Sequence, residues 1–556
     1  MAIHAAKRTA GRPSPQVAKA NTVPAPVGGI DTRTILSSGD PKYAIYAYNL
    51  LPDDYGLRVR RGYSEYCIDL DNGNPLGVGT IIPFGGVDED PADDRLFAVT
   101  NEGIWDVTTF DTPSLVLDFL IDGTDTTQEA GYGVYTQYTT DANEQLLFYA
   151  DSRNGLYQYS ENTDLWIRSP DLTTQHPTAI PPTAEEIGFV TSHKKQLWFV
   201  GYNDTTAWYL PQAAITGDAS PFFFGSKFKH GGNLAGLFSW SLDGGIGLDD
   251  YLIAVSRAGD VIPYLGSDPS SADNWSSHGL YFIGAVPNNS RFSAEYGGNL
   301  MLLSAYGLNS MTDLLEGTDG KDINALTITQ NVASLIRADM ITQRLDRNWM
   351  VKYLPSIGSI CIAEPQREDG RFQQYVMHTL TTGWGIWRDL PMNCSEDWNG
   401  FVYFGTLDGR VMKMDVELDN SLITPDPVNP INGEPIDFSI LTTFQDFGEP
   451  ALFKRGKYVR PQFLAQIEPK TTTRFRYDYN LSELTNLNAE ILSLGSRWDI
   501  DNWDEAIWAG ENPKGFDQIV GGWGMGRNIA IAMRGNSTTR TTLVSWDVIW
   551  DSGAPI

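Results

Sequence analysis

The chain has 556 residues, of which 41% are hydrophobic and 12% aromatic, enough apolar material for more than one buried core. It carries 40 basic and 69 acidic residues, and the net charge of −29 excludes a general DNA reader because such proteins are basic. Three widely separated cysteines without a CxxC or Cys/His cluster give no support to a zinc site, and no apolar run approaches the roughly 18 residues of a membrane helix. We therefore expect no metal, no cofactor and no membrane insertion.

Residues 1–30 form a basic segment that contains no acidic residue. The segment is rich in Ala and Pro, a composition that cannot build a core and favours an extended arm. It is either a disordered tail or an arm that docks on an acidic neighbouring subunit, and contact with nucleic acid is a third reading. The candidate subunit contacts in this arm are Lys7, Arg8, Arg12 and Lys19.

A pattern of about fifty residues recurs within residues 31–418. Each unit has an apolar run of four to six residues, a polar or glycine turn and a second short apolar or aromatic run, which is typical of β-hairpins. The first run is apolar on both faces, so we expect it near the axis of a ring of four-stranded blades. The pattern predicts an all-β fold with a β-propeller of about seven blades. The seven first runs begin near residues 96, 146, 197, 251, 300, 360 and 401.

The stretch 57–68 precedes the first full unit of the repeat. We expect it to complete the last blade as a clasp strand, because pairing the two ends of the ring removes an exposed edge. Its three alternating arginines, Arg58, Arg60 and Arg61, are either structural or contacts to a neighbouring subunit.

One short helical insertion is predicted at about residues 323–346. Apolar residues recur there at helical spacing, and Asn331 can cap the first turn. The helix either packs on the ring or contacts another subunit. The apolar residues are Val332, Leu335, Ile336 and Met340.

The repeated pattern of apolar runs and turns ends at residue 418. Residues 419–436 contain four prolines and are predicted to be a linker. At least five strand-like runs follow within residues 437–556, and they alternate between apolar and polar positions, as in the aromatic and charged faces of Arg474–Tyr479. This pattern predicts a C-terminal β-sandwich-like domain.

No motif in the chain points to catalysis. The sequence has no G-x-S-x-G nucleophile elbow, no phosphate-binding G-x-x-x-x-G-K-[ST] loop and no H-E-x-x-H among its six scattered histidines. The run Gly521–Gly526 contains G-x-G without a following helix, and we interpret it as a turn in a β-domain. We predict that the chain is not an enzyme and has no catalytic, cofactor-binding or metal-binding residue. Six tryptophans either stack on sugars or, more typically, fill blade cores: Trp198, Trp208, Trp240, Trp275, Trp384 and Trp387.

A segment near the N-terminus indicates a particular protein family more specifically than the repeat does. It contains P-x-G-G at Pro26–Gly29, then A-x-x-x-x-N-x-x-P at Ala44–Pro52, then G-x-x-x-R-x-G at Gly56–Gly62. This segment resembles the opening of the tail nozzle or tail hub proteins of short-tailed bacteriophages. The match is specific over about 40 residues and architectural over the rest.

The resemblance implies a structural virion protein that forms a homohexameric ring below the portal. The implied partners are the head–tail adaptor protein and tail fibre or needle proteins, and DNA would pass through the lumen of the ring without specific binding. The implied location is the virion tail, assembled in the host cytoplasm. Acidic walls suit a conduit, because they repel the phosphates of the passing DNA. The alternative reading is a receptor-binding or glycan-binding tail propeller.

Overall fold

The computed structural model of the protein describes residues 18–70, 77–86, 93–119, 130–241, 250–316, 327–424, 432–485 and 514–555. The chain divides into two compact units. The propeller unit comprises residues 30–33 and 60–436, and the sandwich unit comprises residues 1–29, 34–59 and 437–556. The predicted all-β class, with a β-propeller and a C-terminal β-sandwich, is confirmed.

The propeller unit is a succession of antiparallel meanders in chain order. Six of these meanders form sheets of their own, one fewer than the seven blades predicted. One more four-stranded meander follows the fifth sheet and precedes the sixth along the described chain, and we call it the further meander. The fifth sheet has three strands and the fourth has an extra short strand. A parallel pair, Leu172–Thr173 with Gly217–Asp218, lies outside the meanders.

The strand bounds of the propeller unit follow the order of the sheets. They are Val78–Phe84, Arg95–Thr100, Gly103–Asp106 and Ser114–Asp118 in the first sheet; Val134–Thr139, Gln145–Asp151, Gly155–Ser160 and Leu165–Arg168 in the second; Ile187–His193, Gln196–Gly201, Thr206–Tyr209 and Ser220–Phe223 in the third; Leu234–Ser241, Asp250–Ser256, Asp260–Gly266, Trp275–Ser277 and Tyr281–Phe282 in the fourth; Ser293–Tyr296, Asn299–Ser304 and Gly307–Ser310 in the fifth; Met350–Leu354, Ser359–Ala363, Gln373–His378 and Trp384–Arg388 in the further meander; and Cys394–Trp398, Phe401–Gly405, Val411–Lys413 and Ser64–Cys67 in the sixth sheet.

Each of the seven predicted apolar runs is the second strand of its meander, not the strand nearest the axis. In the second sheet, for example, the predicted run lies in Gln145–Asp151, and Val134–Thr139 precedes it on the inner side. The second strands are apolar on both faces because they pack between neighbouring sheets, as Phe148 and Ala150 do against residues of the third sheet. Burial on both faces therefore correctly identified an interior strand of each meander. The prediction that this strand is the one nearest the axis was wrong by one strand.

The predicted clasp is divided between the two units. Ser64–Cys67 pairs antiparallel with Val411–Lys413 and completes the sixth sheet, as expected for a closing strand. Tyr66 and Cys67 belong to the core cluster that joins the first sheet, the sixth sheet and the further meander. Gly56–Val59, by contrast, is a strand of the sandwich unit, because it pairs with Leu50–Asp53 and Thr541–Pro555.

The predicted insertion contains the helix Ala333–Gln343, and its first residues lie outside the described part of the chain. Its N-cap is Val332 rather than the predicted Asn331, whose carbonyl instead accepts hydrogen bonds from the backbone and hydroxyl of Thr32. Ile336 and Met340 are buried. A second, shorter helix, Met311–Leu315, follows the fifth sheet, and 3-10 turns lie at Leu36–Ser38 and Pro355–Ile357.

The sandwich unit has two sheets that take strands from both ends of the chain. Lys19–Pro24, in the predicted arm, pairs along its whole length with Thr541–Pro555 near the C-terminus. The first sheet contains Lys19–Pro24, Leu50–Asp53, Gly56–Val59, Leu452–Ala465, Lys514–Asp517, Val520–Gly521 and Thr541–Pro555, and the second contains Ala44–Tyr48, Ile436–Thr442, Lys470–Tyr477 and Ile529–Ser537.

The unit boundaries therefore differ from the predicted domains 1–30, 31–418 and 437–556. Residues 34–59 belong to the sandwich, because their strands pair with strands of the C-terminal region. The predicted linker 419–436 belongs to the propeller unit, where the backbones of Asp419 and Glu434 pair with each other. Among the described helices, none combines the length and the apolar character that crossing a membrane would need.

Candidate functional site

The inner strands of the propeller unit surround a central cavity of about 1100 Å³. Its wall contains both apolar and polar side chains. Aromatic groups of Trp240, Tyr296 and Tyr353 share the wall with the carboxylates of Glu295 and Glu396. This large central cavity is our candidate functional site.

A charged cluster of Lys352, Glu396 and Tyr135 lies on the cavity wall. The Lys352 Nζ is 2.6 Å from Glu396 Oε2, the Tyr135 hydroxyl donates to the same oxygen at 2.7 Å, and Lys352 donates to the Tyr135 hydroxyl at 3.2 Å. Burial lowers the pKa of Lys352, but the Glu396 carboxylate more than offsets this, so the pKa of the ammonium is raised. Burial, and then Glu396, raises the pKa of Tyr135. Lys352 is therefore held charged and is not a nucleophilic amine at neutral pH.

Two arginines bridge sheets that are distant in chain order, and one of them, Arg291, also lines the cavity. Arg291, at the start of the fifth sheet, donates from Nη1 to the Gly79 carbonyl in the first sheet at 2.5 Å. Arg347, just before the further meander, donates to the Ser152 hydroxyl at 2.8 Å and to the Tyr202 hydroxyl at 3.1 Å. These bonds tie the first, second and third sheets to residues just before the fifth sheet and the further meander.

The three cysteine thiols and the His193 imidazole are buried, and burial shifts the pKa of each group so that its uncharged form is favoured. Burial raises the pKa of Cys67 to about 11 and the pKa of both Cys361 and Cys394 to about 12. Burial lowers the pKa of His193 to about 4, and its Nδ1 makes a 2.8 Å hydrogen bond with the Ser239 hydroxyl. In the described part of the chain, no group of three or more His, Cys, Asp or Glu side chains is arranged to hold a metal ion.

The six tryptophans considered for sugar stacking are all buried, in agreement with the blade-core reading. Trp198, for example, stacks on Trp275 with ring centroids 6.0 Å apart. Trp240 also lines the cavity, where its Nε1 donates to the Gly298 carbonyl at 3.0 Å.

The predicted subunit contacts do not form one site. Lys7, Arg8 and Arg12 lie outside the described residues. Lys19 begins the first strand of the sandwich, where its ammonium pairs with Glu449 and lies 5.1 Å from the ring centroid of Trp550.

Arg58, Arg60 and Arg61 differ in their surroundings. Arg58 pairs with Asp53 at 3.1 Å within the sandwich unit. Arg60 is 3% exposed and makes a bidentate pair with Asp419, with distances of 2.7 and 2.6 Å. Arg61 is exposed, and its carbonyl accepts a hydrogen bond from Arg60. Of the three side chains, only that of Arg61 is placed to reach a neighbour without breaking an internal pair.

No family model matches the sequence, and no curated protein matches it. Solved structures similar in fold include the Neurospora crassa Pan2 WD40 domain, with 10% identity and a TM-score of 0.35 over 67% of this chain and 98% of that chain. BBS1N in complex with ARL6DN gives 11% identity and a TM-score of 0.36 over 64% and 98% of the two chains. A chain of the mitotic checkpoint complex gives 11% identity and a TM-score of 0.31 over 75% and 96%.

Proposed function

We propose that this chain is a structural, non-enzymatic component of the tail of a short-tailed bacteriophage. It forms the tail nozzle or hub, a homohexameric ring that binds the head–tail adaptor below the portal and the tail fibre or needle proteins. The ring is assembled in the host cytoplasm and becomes part of the virion tail. The observation that carries this proposal is the resemblance of residues 25–63 to the opening of that family.

The fold explains why two positions of that segment carry the residue types that they do. Asn49 has a φ of 56°, which Asn tolerates better than most residues, and its amide donates to the Asp437 carbonyl at 2.8 Å within the sandwich. A Cβ at Gly62 would lie 2.0 Å from the Leu418 carbonyl oxygen in the propeller. The resemblance therefore involves positions at which this fold restricts the choice of side chain.

The distribution of charge supports a role beside DNA. Residues 60–436 carry 21 basic and 50 acidic residues, a net charge of −29, whereas residues 1–59 and 437–556 together carry 19 of each. The whole net charge of the chain therefore belongs to the propeller region. An acidic propeller repels a phosphate backbone and would let DNA slide past without being held.

The conduit in this proposal is the lumen of the assembled ring rather than the cavity of one propeller. Arg291 bonds to the first sheet, and Arg347 bonds to Ser152 and Tyr202, which follow strands of the second and third sheets, so these sheets are tied together. Each propeller is then a rigid wall element, and the passage forms between copies.

The proposal is tested by electron microscopy of the purified protein with the portal and adaptor of the same virus. We expect sixfold rings attached to the adaptor, with the acidic propeller surface lining the passage. A chain that stays monomeric in the presence of the adaptor would overturn the proposal.

The arm at residues 1–30 is part of the same proposal. We expect deletion of residues 1–17, which removes Lys7, Arg8 and Arg12 and spares the strand Lys19–Pro24, to weaken ring assembly without lowering the melting temperature. Deletion of residues 1–24 is the comparison, because it also removes the strand paired with Thr541–Pro555 and lowers the melting temperature. Normal assembly of the shorter deletion would identify the segment as a passive tail.

A second candidate function is glycan binding, which the aromatic and carboxylate lining of the cavity favours. Aromatic faces and carboxylates are common in pockets that hold small polar ligands. The test is a host-surface glycan array with the wild-type protein and with Tyr296→Ala, which removes a cavity ring. Binding lost in the variant would support this function, and an array without signal would exclude it.

A further inference from the structure

The sandwich unit displays large apolar side chains on the loop that follows Val520–Gly521. Trp523 is 89% exposed, Met525 is 65% exposed and Ile519, just before the strand, is 70% exposed. We call residues 521–526 the Trp523 loop. Several large apolar side chains exposed close together along the chain are typical of an interaction surface.

The Trp523 loop is held in place rather than loose. Gly522 donates its backbone N–H to the Lys457 carbonyl at 2.6 Å, and Gly526 and Lys454 exchange backbone hydrogen bonds of 3.1 and 2.7 Å. The loop thus runs alongside the strand Leu452–Ala465.

Glycines and large side chains alternate along this loop. A Cβ at Gly522 would lie 2.3 Å from the ring of Phe475, and one at Gly524, where φ is +99°, would lie 2.6 Å from the ring of Tyr477. The glycines let the backbone lie flat on these rings, so Trp523 and Met525 point away from the unit. Apolar groups fixed in this way lose little entropy on binding.

The loop is flanked by two positive charges without acidic partners. Lys457 is paired with Asp551 at 2.7 Å, but neither Arg455 nor Arg527 makes an ion pair with any residue that the structure describes. Arg527 lies over the ring of Phe453 at 5.8 Å from its centroid. One carboxylate also lies at this rim, since Asp478 accepts the backbone N–H of Arg527 at 2.8 Å. The patch is therefore apolar at its centre and has more cationic than acidic side chains at its rim, which fits an acidic partner with an apolar contact.

We propose that the Trp523 loop docks on the acidic propeller of a second copy of this chain. A ring needs two different complementary surfaces on each subunit, and here the propeller region carries the whole net negative charge of the chain while the guanidinium groups of Arg455 and Arg527 flank the loop. The proposal rests on the proposed function for its ring, and it names the contact that holds neighbouring subunits together.

The test compares the variant Trp523→Ser/Met525→Ser with the matched control Tyr55→Ser/Leu481→Ser, which removes exposed apolar groups elsewhere on the sandwich. Sedimentation velocity measures self-association, and electron microscopy with the adaptor measures ring formation. We expect at least tenfold weaker association in the loop variant and wild-type behaviour in the control. Because all four side chains are exposed, circular dichroism and melting temperature should not change.

A second pair of variants tests the charged rim. Arg455→Glu/Arg527→Glu should weaken association and remove most of its dependence on salt concentration, because the attraction that salt screens is gone. Lys42→Glu reverses an exposed charge elsewhere on the sandwich and should associate as the wild type does.

The outcomes separate this inference from the proposed function. Sixfold rings that form equally well with the loop variant would overturn the loop contact and leave the nozzle proposal standing. Loop-dependent self-association without rings on the adaptor would support the contact and overturn the nozzle. A wild-type chain that is monomeric under all conditions would overturn both.

Discussion

At the scale of single residues, the pair Arg60–Asp419 is the best-defined electrostatic contact in the propeller unit. The Arg60 side chain is 1% exposed, and both of its terminal nitrogens bond to the carboxylate. Asp419→Asn removes the carboxylate charge from the bidentate pair with this buried guanidinium, which costs about 3–5 kcal/mol of unfolding free energy. Chemical denaturation followed by tryptophan fluorescence measures this loss.

The control for that variant is Asp141→Asn. Asp141 pairs with Lys195 at 3.5 Å, and both side chains are mostly exposed, so its loss should cost about 1 kcal/mol or less. Equal effects of the two substitutions would show that burial does not strengthen the Arg60 pair.

Glu364 gives a pH dependence with a definite sign. One of its oxygens accepts from Arg367 at 2.6 Å, the other is buried without a hydrogen-bond partner, and burial raises the pKa of Glu364 to about 8. Between the ordinary carboxyl pKa and about 8, the folded state keeps a proton that the unfolded state releases, so stability falls as the pH rises through this window. Glu364→Gln should flatten the fall in melting temperature between about pH 4.5 and pH 8, whereas the exposed control Glu368→Gln should retain it. A wild-type slope in the Glu364 variant would refute the assignment.

The roles of single residues were the hardest to predict from sequence. Arg58, Arg60 and Arg61 look equivalent along the chain, yet Arg60 is withdrawn from the surface by Asp419, 359 residues away. The residues of the Trp523 loop read as a simple turn, and the exposure of Trp523 follows only from the packing of the adjacent glycines on Phe475 and Tyr477. Pairings over such distances leave no local signal.

At the scale of secondary-structure elements, the strand Ser64–Cys67 closes the propeller by completing the sixth sheet. Glu65 donates its backbone N–H to the Ser421 carbonyl at 2.8 Å, and its side chain pairs with Arg410 at 3.0 Å. Glu65→Pro removes this donor and constrains the strand, so we expect a loss of about 3 kcal/mol or more and faster hydrogen exchange in the sixth sheet.

Glu65→Ala is the matched control for closure, since it keeps the backbone N–H and removes only side-chain contacts, the ion pair with Arg410 and the hydrogen bond from the Ile423 N–H. It should cost about 1 kcal/mol. Hydrogen exchange that is unchanged by Glu65→Pro would mean that the sixth sheet is held without its clasp.

The strands that the sequence predicted well are those with a strong local pattern. All seven second strands were located, because they are apolar on both faces and bounded by turns. The inner strands were missed, since a strand such as Val134–Thr139 faces the cavity and mixes polar with aromatic side chains. The helix Ala333–Gln343 was located by its spacing, and only its cap was wrong.

At the scale of the whole molecule, the separation of charge predicts how the protein behaves with DNA. We expect no binding of a double-stranded oligonucleotide at physiological salt, measured by fluorescence anisotropy, because the propeller region has a net charge of −29 and the rest of the chain has none. A basic DNA-binding domain measured in parallel is the positive control. Micromolar binding would show that a local basic patch overrides the total charge.

The division into units could be predicted only in part. The propeller and the sandwich were both predicted, but the N-terminal strand of the sandwich was interpreted as part of an extended arm that is either a disordered tail or a contact to a neighbouring subunit. Lys19 pairs with Trp550 in the same sheet, and no periodicity within residues 1–30 reveals a partner at the far end of the chain.

During protein synthesis, the clasp strand Ser64–Cys67 is made long before the strand with which it pairs. Ser64–Cys67 leaves the ribosome about 345 residues before its ion-pair partner Arg410, which at roughly 5–20 residues per second is an interval of about 20 to 70 seconds. Lys19–Pro24 waits longer, until Thr541–Pro555 has been made. Ala44–Tyr48 also waits, for Ile436–Thr442. The nascent chain therefore carries several N-terminal strands without their partners through most of translation, and the propeller is complete before the sandwich is.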